Sequence, residues 1–378
     1  MLEILVVRLV AIVGVGISIG IIPYVMRSNI HFGVIFPDEA KELATIKKWK
    51  KSFFVGSNLL ILISILSLFV GMLLNLDDEA LTGYINTTGT VMIAVMVTLQ
   101  FCMYAYFYRQ AKLLKNEKFS NKEIRADVRI MISTNFRSEK IIISNGWFLA
   151  LGGIIILTTA LTPILLYEQV PPYISMIWNY DSNQVSLIPK SPHVFAIIPI
   201  IQLGMLLIFI VINRVLQATK QIIEPRNANL SVKQNRAYRH AMSKTILISA
   251  ILMLILLAIP QFLMMFVVPD NAVLAWLTTV LSVIIFSVFI YVILKYGQGG
   301  ERYKYSNEAN NKHQMLDDTK LWKWGMFYYN PDDPTVFTEK RFGVGTTMNF
   351  ARWQSWACLA GTLVIVGAIT AIVRVLES

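Results

Sequence analysis

Long apolar stretches alternate with polar segments along the whole chain. Eight of these stretches are long enough to cross about 30 Å of hydrocarbon as an α-helix. Because backbone polar groups must be satisfied inside lipid, uninterrupted apolar runs of this length predict a helical bundle and not a barrel. The predicted spans are residues 4–26, 52–74, 85–108, 147–166, 193–213, 245–268, 272–294 and 354–373.

Basic residues are concentrated in alternate connecting segments. The segments 27–51, 109–146, 214–244 and 295–353 hold 31 of the 34 Lys and Arg residues, whereas 75–84, 167–192 and 269–271 hold only Lys190. Basic segments resist translocation, so these four are predicted to be cytoplasmic and both termini extracytoplasmic. We therefore predict an all-α integral membrane protein of about eight transmembrane helices, with a small aromatic-rich cytoplasmic element before the last helix.

Composition agrees with this interpretation. Of the 378 residues, 55% are apolar and 15% are charged, and the mean hydropathy is +0.57. The net charge of +11 is explained by the cytoplasmic segments and their attraction to an anionic leaflet, so membrane lipids and not nucleic acid are the expected partners. Cys102 and Cys358 lie in predicted spans, where a thiol behaves as a small apolar group.

The pattern divides the chain into five regions without an internal repeat. These are an N-terminal four-helix membrane region (1–166), an extracytoplasmic loop rich in Pro and aromatic residues (167–192), central helices five to seven (193–294), a cytoplasmic module (295–353) and the last helix (354–378). The segment 112–144 mixes charged and apolar residues, which is compatible with an amphipathic helix on the inner surface or with a solvated connector.

Polar and kinking residues are concentrated in the outer halves of the fourth, fifth and sixth spans. Prolines free backbone carbonyls that neighbouring polar groups must satisfy. The residues predict either a shallow outward-facing polar cavity beneath the external loop, or helix kinks with interhelical hydrogen bonds. They are Thr158, Thr159, Thr162, Pro163, Pro199, Gln202, Pro260 and Gln261.

Motifs for catalysis, metal binding or coupled transport are missing from the sequence. No G-x-x-x-x-G-K-[ST] or H-E-x-x-H occurs, and the four histidines are scattered and interpreted as solvated or interfacial. None of the eight spans has Asp or Glu in its interior, which disfavours proton- or sodium-coupled transport. We predict no cofactor, no metal and no enzymatic activity.

The segment 322–350, WKWGMFYYNPDDPTVFTEKRFGVGTTMNF, is the most unusual part of the chain. Its acids could supply oxygen ligands to a divalent cation. A turn in which Asn330 and Asp333 bond nearby backbone N–H groups needs fewer assumptions. We expect a turn-rich hairpin that docks or braces at the inner face, with Lys340 and Arg341 reaching lipid phosphates. The candidate docking residues are Trp322, Trp324, Tyr328, Asn330, Asp332, Asp333, Lys340 and Arg341.

Two segments resemble known families. WKWGMFYYNPDDP followed by FTEKRFGVG resembles a C-terminal module of uncharacterised bacterial membrane proteins, with the pattern WKWGxFYxNPxDP followed by KRxGxG. YEQVPPYISMIWNYDS at 167–182 is similar to a degenerate form of a module in the sporulation-delaying-toxin immunity family, in which a His of the pattern is replaced by Ile177. The matching candidates for recognition in this loop are Tyr167, Pro171, Trp178 and Asn179.

These resemblances imply a bacterial cytoplasmic membrane protein that gives immunity or envelope-stress protection against a membrane-active peptide or bacteriocin. A peptide toxin or an envelope protein would then be its partner. The alternatives are a permease or lipid flippase, and a membrane sensor or accessory subunit. A membrane enzyme would need a nucleophile or metal set that the sequence does not offer.

Overall fold

The computed structural model describes residues 2–37, 40, 43–74, 76–119, 141–176, 186–222, 228–266, 271–303 and 318–377. Long helices dominate these ranges. They are α1 (Leu2–Gly20), the short α2 (Ile22–Val25), α3 (Ala44–Leu73), α4 (Asp78–Phe119), α5 (Asn145–Leu165), α6 (Pro192–Ala218), α7 (Ala228–Phe266), α8 (Asn271–Tyr296) and α9 (Trp353–Glu377).

Each predicted span coincides with a helix. Among the described residues, seven helices are long and apolar enough to cross a membrane, namely α1 and α3 to α8, and α9 covers the eighth predicted span. The first span was predicted too long, because α1 ends at Gly20 and Pro23 lies in the separate short helix α2. In the segment 112–144, α4 continues to Phe119, and residues 120–140 lie outside the described part.

The helices form two groups. Helices α1, α3 and α4 pack together around buried aliphatic residues such as Ile12 and Leu68. Helices α5, α6 and α7 form the second group, with Phe148 and Leu254 in its core. Helix α8 packs against both α7 and α1, so it joins the two groups.

Within the described residues, four antiparallel strand pairs add β-structure that the all-α prediction missed. Their strands have two to four residues, which is too short for an alternating pattern to be visible in the sequence. The pairs are β1 (Ile30–His31) with β2 (Val34–Ile35), β3 (Tyr173–Met176) with β4 (Ser186–Pro189), β5 (Trp322–Lys323) with β6 (Phe327–Tyr328), and β7 (Phe337–Glu339) with β8 (Thr346–Met348).

The four basic segments meet at one end of the bundle, which we call the basic end. Arg27 pairs with Glu339, Lys220 pairs with Asp333, and the ring of Phe119 contacts that of Phe36. The hairpin β3–β4 lies at the opposite end, which we call the groove end. The structure therefore groups the segments as the charge pattern predicted, while the side of the membrane that each end faces stays a prediction.

Candidate functional site

A groove of about 700 Å³ lies between α5 and α6 at the groove end. It runs beside the two helix prolines, Pro163 and Pro199, and reaches the loop that follows α5. A concave apolar site of this size is typical of binding sites for small or extended apolar ligands. Its lining residues are Ile156, Ala160, Pro163, Ile164, Tyr167, Pro192, Phe195, Ala196, Pro199, Ile200 and Leu203.

The groove is apolar, so the predicted polar cavity is wrong. Thr159, Gln202 and Gln261 are buried between the helices and do not line it. Thr158 is exposed and Thr162 is half-buried, and each donates to a carbonyl of its own helix four residues earlier, at 2.8 Å. Pro260 is half-buried in α7, away from the groove lining. Of the eight predicted residues, only Pro163 and Pro199 line the groove.

The alternative interpretation included interhelical hydrogen bonds beside the helix prolines, and the structure contains such bonds. A proline has no N–H, so the carbonyl four residues earlier loses its helical donor. For Pro163 this carbonyl belongs to Thr159, and for Pro199 it belongs to Phe195. The side-chain amide of Gln261 in α7 donates to both carbonyls, at 2.8 and 3.4 Å. One side chain therefore ties α7 to the kinks of α5 and α6.

Gln202 makes a second tie between the same helices. Its side-chain amide donates to the Thr159 hydroxyl at 3.3 Å and to the backbone carbonyl of Leu254 at 2.9 Å. Hydrogen bonds of this kind hold transmembrane helices together where the lipid offers no competing partner. The wall of the groove is thus fixed from behind by two glutamines.

The described part of the loop between α5 and α6 borders the groove through Tyr167. The Lys190 ammonium donates to the backbone carbonyls of Tyr167 and Val170, at 2.9 and 3.0 Å, and lies 4.6 Å from the centre of the Tyr167 ring. Tyr167 lines the groove, and Pro171 is exposed beside it. The predicted recognition residues Trp178 and Asn179 lie outside the described residues. The described part of the loop is ordered, as predicted.

The hairpin β5–β6 at the basic end has two different faces. Trp322 and Tyr328 are cross-strand partners, are buried, and have ring centres 5.1 Å apart. Lys323 and Phe327 form the neighbouring pair, and both are exposed. Of the predicted docking aromatics, Trp322 and Tyr328 therefore brace the protein from inside, whereas Trp324 is exposed.

The tips of two hairpins that are distant in sequence touch through glycines. Phe32–Gly33 and Trp324–Gly325 both have positive φ at the two turn positions, as in tight hairpin turns. A Cβ atom on Gly33 would lie 2.7 Å from the Gly325 Cα, and one on Gly325 would lie 2.9 Å from the Gly33 Cα. The Tyr104 hydroxyl from α4 donates to the Trp324 carbonyl beside this contact, at 3.4 Å. Only glycine fits at both tips.

The NPDDP segment forms the predicted turn. Asn330 Oδ1 accepts from the backbone N–H of Asp332, and Asp333 Oδ1 accepts from that of Thr335, both at 3.0 Å. Asp333 is buried, and its other oxygen accepts from Lys220 Nζ at 2.7 Å and from the Tyr328 hydroxyl at 2.9 Å. Asp332 is exposed and points to no shared ligand position. Among the described residues, no group of three or more potential metal ligands occurs.

Hydrogen bonding fixes the charge of the Asp333 carboxylate. Burial alone would raise its pKa, but the bonds from Lys220, Thr335 and Tyr328 outweigh burial and lower the pKa to about 2. The same environment acts in the opposite direction on Tyr328, because burial and the neighbouring carboxylate raise its pKa to about 12. Asp333 is therefore a brace that stays ionised at neutral pH, with hydrogen-bond partners supplied by the protein.

A second carboxylate, Glu339, links the module to Arg27 and to α7 directly, and to the end of α6 through Asn235 and Arg239. It accepts from Arg27 at 2.5 Å and from the Asn235 side-chain amide at 2.8 Å. Asn235 in turn accepts from Arg239 at 2.7 Å. Arg239 donates to the carbonyls of Leu216 and Thr219, at 2.9 and 2.8 Å. The guanidinium thus satisfies carbonyls at the end of α6, a favourable position for a cation.

The prediction that Arg341 reaches lipid phosphates is wrong. Arg341 is buried, pairs with Asp318, and lies with its guanidinium carbon 4.9 Å from the centre of the Trp322 ring. Lys340 is exposed, so its part of the prediction stays open. His31 was also misjudged, because it is buried against Phe36.

Sequence reasoning missed most members of the buried network. Arg27, Arg239 and Lys220 were counted only as basic residues of the connecting segments, and Asn235 was not singled out. Nothing in the local sequence shows that Asn235 and Arg239 become buried, or that Arg27 and Lys220 pair with carboxylates of the module. The two aromatic–glycine pairs at the hairpin tips did carry a signal, since Gly in such a position often marks a turn with positive φ. Their mutual contact could not be read from the sequence.

One family model matches part of the C-terminal module. A family model described as a family of unknown function (DUF5808) matches residues 331–356, from the acidic turn to the first turn of α9. No curated protein and no solved structure matches the chain. The matched segment contains Asp333, Glu339 and Arg341, the buried charges of the module, and the match assigns no activity to it.

Proposed function

We propose that this chain is a non-enzymatic bacterial membrane protein that protects the cell against a membrane-active peptide or bacteriocin. The peptide is held by its apolar face in the groove between α5 and α6. The observation that carries this proposal is the apolar groove itself, which is fixed from behind by Gln202 and Gln261 and bordered at Tyr167 by the loop with the resemblance to an immunity module.

The length of the groove suits the apolar face of a short amphipathic helix. Its α6 wall runs from Pro192 to Leu203, and a helix advances about 1.5 Å per residue, so the groove extends roughly 16 Å along the helix. This length accommodates three successive anchors of an amphipathic helix, spaced three or four residues apart. Lys190, held beside Tyr167 at the mouth, places a positive charge where the ligand enters.

Filling the groove tests the proposal. In a strain whose own copy is deleted, the wild-type gene should restore resistance to at least one member of a panel of antimicrobial peptides. Ala196→Trp puts an indole into the groove and should abolish that resistance. Ala94→Trp is the matched control, because Ala94 is an exposed alanine of α4 away from the groove. Resistance must be compared at equal amounts of protein in the membrane.

Two outcomes would contradict the proposal. The first is unchanged sensitivity of the deletion strain across the peptide panel. The second is full protection by Ala196→Trp, which would show that the groove takes no part.

A lipid permease or flippase is the second candidate, because the same groove lies along two helices and has an apolar lining that suits an acyl chain. Purified protein in vesicles should then move fluorescent phospholipids between leaflets, and Ala196→Trp should stop this movement. Protection in cells without lipid movement in vesicles favours peptide capture. Lipid movement without protection favours the flippase.

A further inference from the structure

Three exposed aromatic rings and the half-buried ring of Phe350 form a continuous row at the basic end. Successive ring centres are 6.5 Å apart from Trp324 to Phe327, 5.6 Å apart from Phe327 to Phe350, and 5.8 Å apart from Phe350 to Trp356. We call these four residues the aromatic row. Trp324 is 63% exposed, Trp356 58% and Phe327 42%. An exposed aromatic surface of this extent is typical of an interaction site.

The row begins on the last helix. Trp356 lies in the first turn of α9, and its indole N–H donates to the Phe350 carbonyl at 3.1 Å. The sequence from residue 354 to 373 carries no charged side chain, so the first turn of α9 lies where the helix enters the bilayer. The rest of the row extends from this point along the outer face of β5–β6. The row is therefore placed at the level of the lipid headgroups.

The turn of β5–β6 places Trp324 in a backbone conformation that is unfavourable for a bulky residue, and its side chain is exposed. Trp324 has a φ of +52°, in the left-handed region that bulky residues rarely occupy. Its indole gains little from packing, because it is largely exposed. A strained and exposed Trp at a hairpin tip points to a surface where the ring is needed outside the protein.

Positive charges accompany the row. Lys323 is the exposed cross-strand partner of Phe327, and Lys320 is exposed just before the hairpin. Aromatic rings beside lysines match the chemistry of an anionic membrane surface, because the rings enter the region between headgroups and acyl chains while the ammonium groups meet phosphates.

We propose that the aromatic row inserts into the headgroup region of an anionic leaflet and so anchors the module to the membrane. Lipid is the occupant of this surface. The anchor does not depend on the proposed peptide protection, because it lies at the opposite end of the bundle from the groove.

Site-specific labelling tests the anchor. Cys102 and Cys358 are first replaced by Ala, and an environment-sensitive fluorophore is attached through Trp324→Cys in full-length protein, in nanodiscs containing phosphatidylglycerol and phosphatidylcholine. Lys233→Cys is the control position, because Lys233 is exposed on the part of α7 that projects beyond the predicted span. Lipids with a spin label close to the headgroup should quench the fluorophore at 324 several-fold more than at 233. Aqueous iodide should show the reverse.

Three results would overturn the proposal. The first is strong iodide quenching at 324 without quenching by the labelled lipids. The second is protection from both quenchers, which would show that protein covers the surface. The third is unchanged lipid quenching after Lys320→Gln with Lys323→Gln in anionic nanodiscs. Phe327→Cys is a second labelling position for the same measurement, in case Trp324→Cys does not fold.

Discussion

At the basic end, buried charged side chains from segments far apart in the chain hold those segments together. At the groove end, neutral amide side chains join the helices by donating to carbonyls that prolines leave without a helical donor. Glu339 joins Arg27 and Asn235, and Gln261 joins two proline-kinked helices. The difference follows from the surroundings. Near water, the two charges of an ion pair lose only part of their hydration, and hydrogen bonds from the protein replace it. Deep in an apolar bundle, burying a charge costs much more free energy than burying a hydrogen-bonded neutral amide.

The two ends therefore suit different tasks. Buried charges at the basic end fix the relative position of β1–β2, the end of α6, the start of α7 and the C-terminal module. Removing one of these charges leaves its partner buried without a counter-charge, which is costly. The groove end leaves an apolar space open beside its kinks. We infer that rigidity is concentrated at the basic end and that ligand capture takes place at the groove end.

The largest effect is expected from Glu339→Gln. The substitution leaves the half-buried Arg27 guanidinium without this carboxylate, and removing one partner of a buried ion pair costs about 3–5 kcal/mol. Thermal or denaturant unfolding of purified protein in detergent should show the loss. Arg27→Gln with Glu339→Gln should cost less than the sum of the two single substitutions, because the pair is coupled.

Asp332→Asn is the control for Glu339→Gln. Asp332 is an exposed acid of the same module, so its substitution should change stability by less than about 0.5 kcal/mol. Additive effects of the Arg27 and Glu339 substitutions would show that the pair is not coupled, and would remove the main argument for a charge-stabilised basic end.

The contact between the hairpin tips should come second. Gly325→Ala forces a Cβ into the left-handed region, at about 1–2 kcal/mol, and against the Gly33 backbone, at about 1–3 kcal/mol more. Gly343→Ala is matched to it, because Gly343 also has a positive φ, of +85°, but the nearest atom to a new Cβ is 3.9 Å away. The excess loss of stability in Gly325→Ala measures the contact with the Gly33 backbone together with those with the Tyr104 hydroxyl and the Tyr108 ring, which lie 2.9 and 3.1 Å from the new Cβ. Equal losses would show that the tips do not press together.

Hydrophobic runs and charge distribution were sufficient to predict the helices and the grouping of the basic segments. Both depend on local composition, and each predicted span proved helical. The acidic turn was also predictable, because Asn330 and Asp333 act on backbone two residues away.

The candidate sites depended on contacts that no local pattern shows. Arg341 and Lys340 are adjacent and equally basic, yet Arg341 is buried and Lys340 is exposed. The difference arises because Asp318 and Trp322 receive Arg341 after folding. Likewise, the polar residues of α5 to α7 could be located along the helices from the sequence. The side of each helix that faces its neighbours decided that Thr159, Gln202 and Gln261 are buried and that the groove is apolar.

Acid should loosen the basic end through Asp333. Its pKa is about 2 in the folded protein, against an ordinary value of 3.8, so ionisation stabilises the fold fully above about pH 4. This contribution is lost as the pH falls toward 2. The half-exposed Lys220 weakens the effect through solvent screening, to about 1–2 kcal/mol. Unfolding measured between pH 2 and 5 should show this slope, and Asp333→Asn should flatten it.

Asp332→Asn again provides the control, since the exposed Asp332 should leave the slope unchanged. If Asp333→Asn retained the wild-type slope, the acid sensitivity of the basic end would have to come from another carboxylate, and Asp333 would lose its role as an ionised brace.

The smallest effect is expected at the groove end, from Gln261→Leu. The substitution removes the donor from the carbonyls of Thr159 and Phe195, but hydrogen bonds between membrane helices contribute on average only about 0.6 kcal/mol and at most about 1.7 kcal/mol. Thr162→Val is the control, because Thr162 is only half-buried and its hydroxyl donates to a carbonyl of its own helix. Unfolding under the conditions used for Glu339→Gln compares the two ends directly. A loss as large as that of Glu339→Gln would show that the groove end is equally rigid, and that the groove is a fixed part of the bundle core.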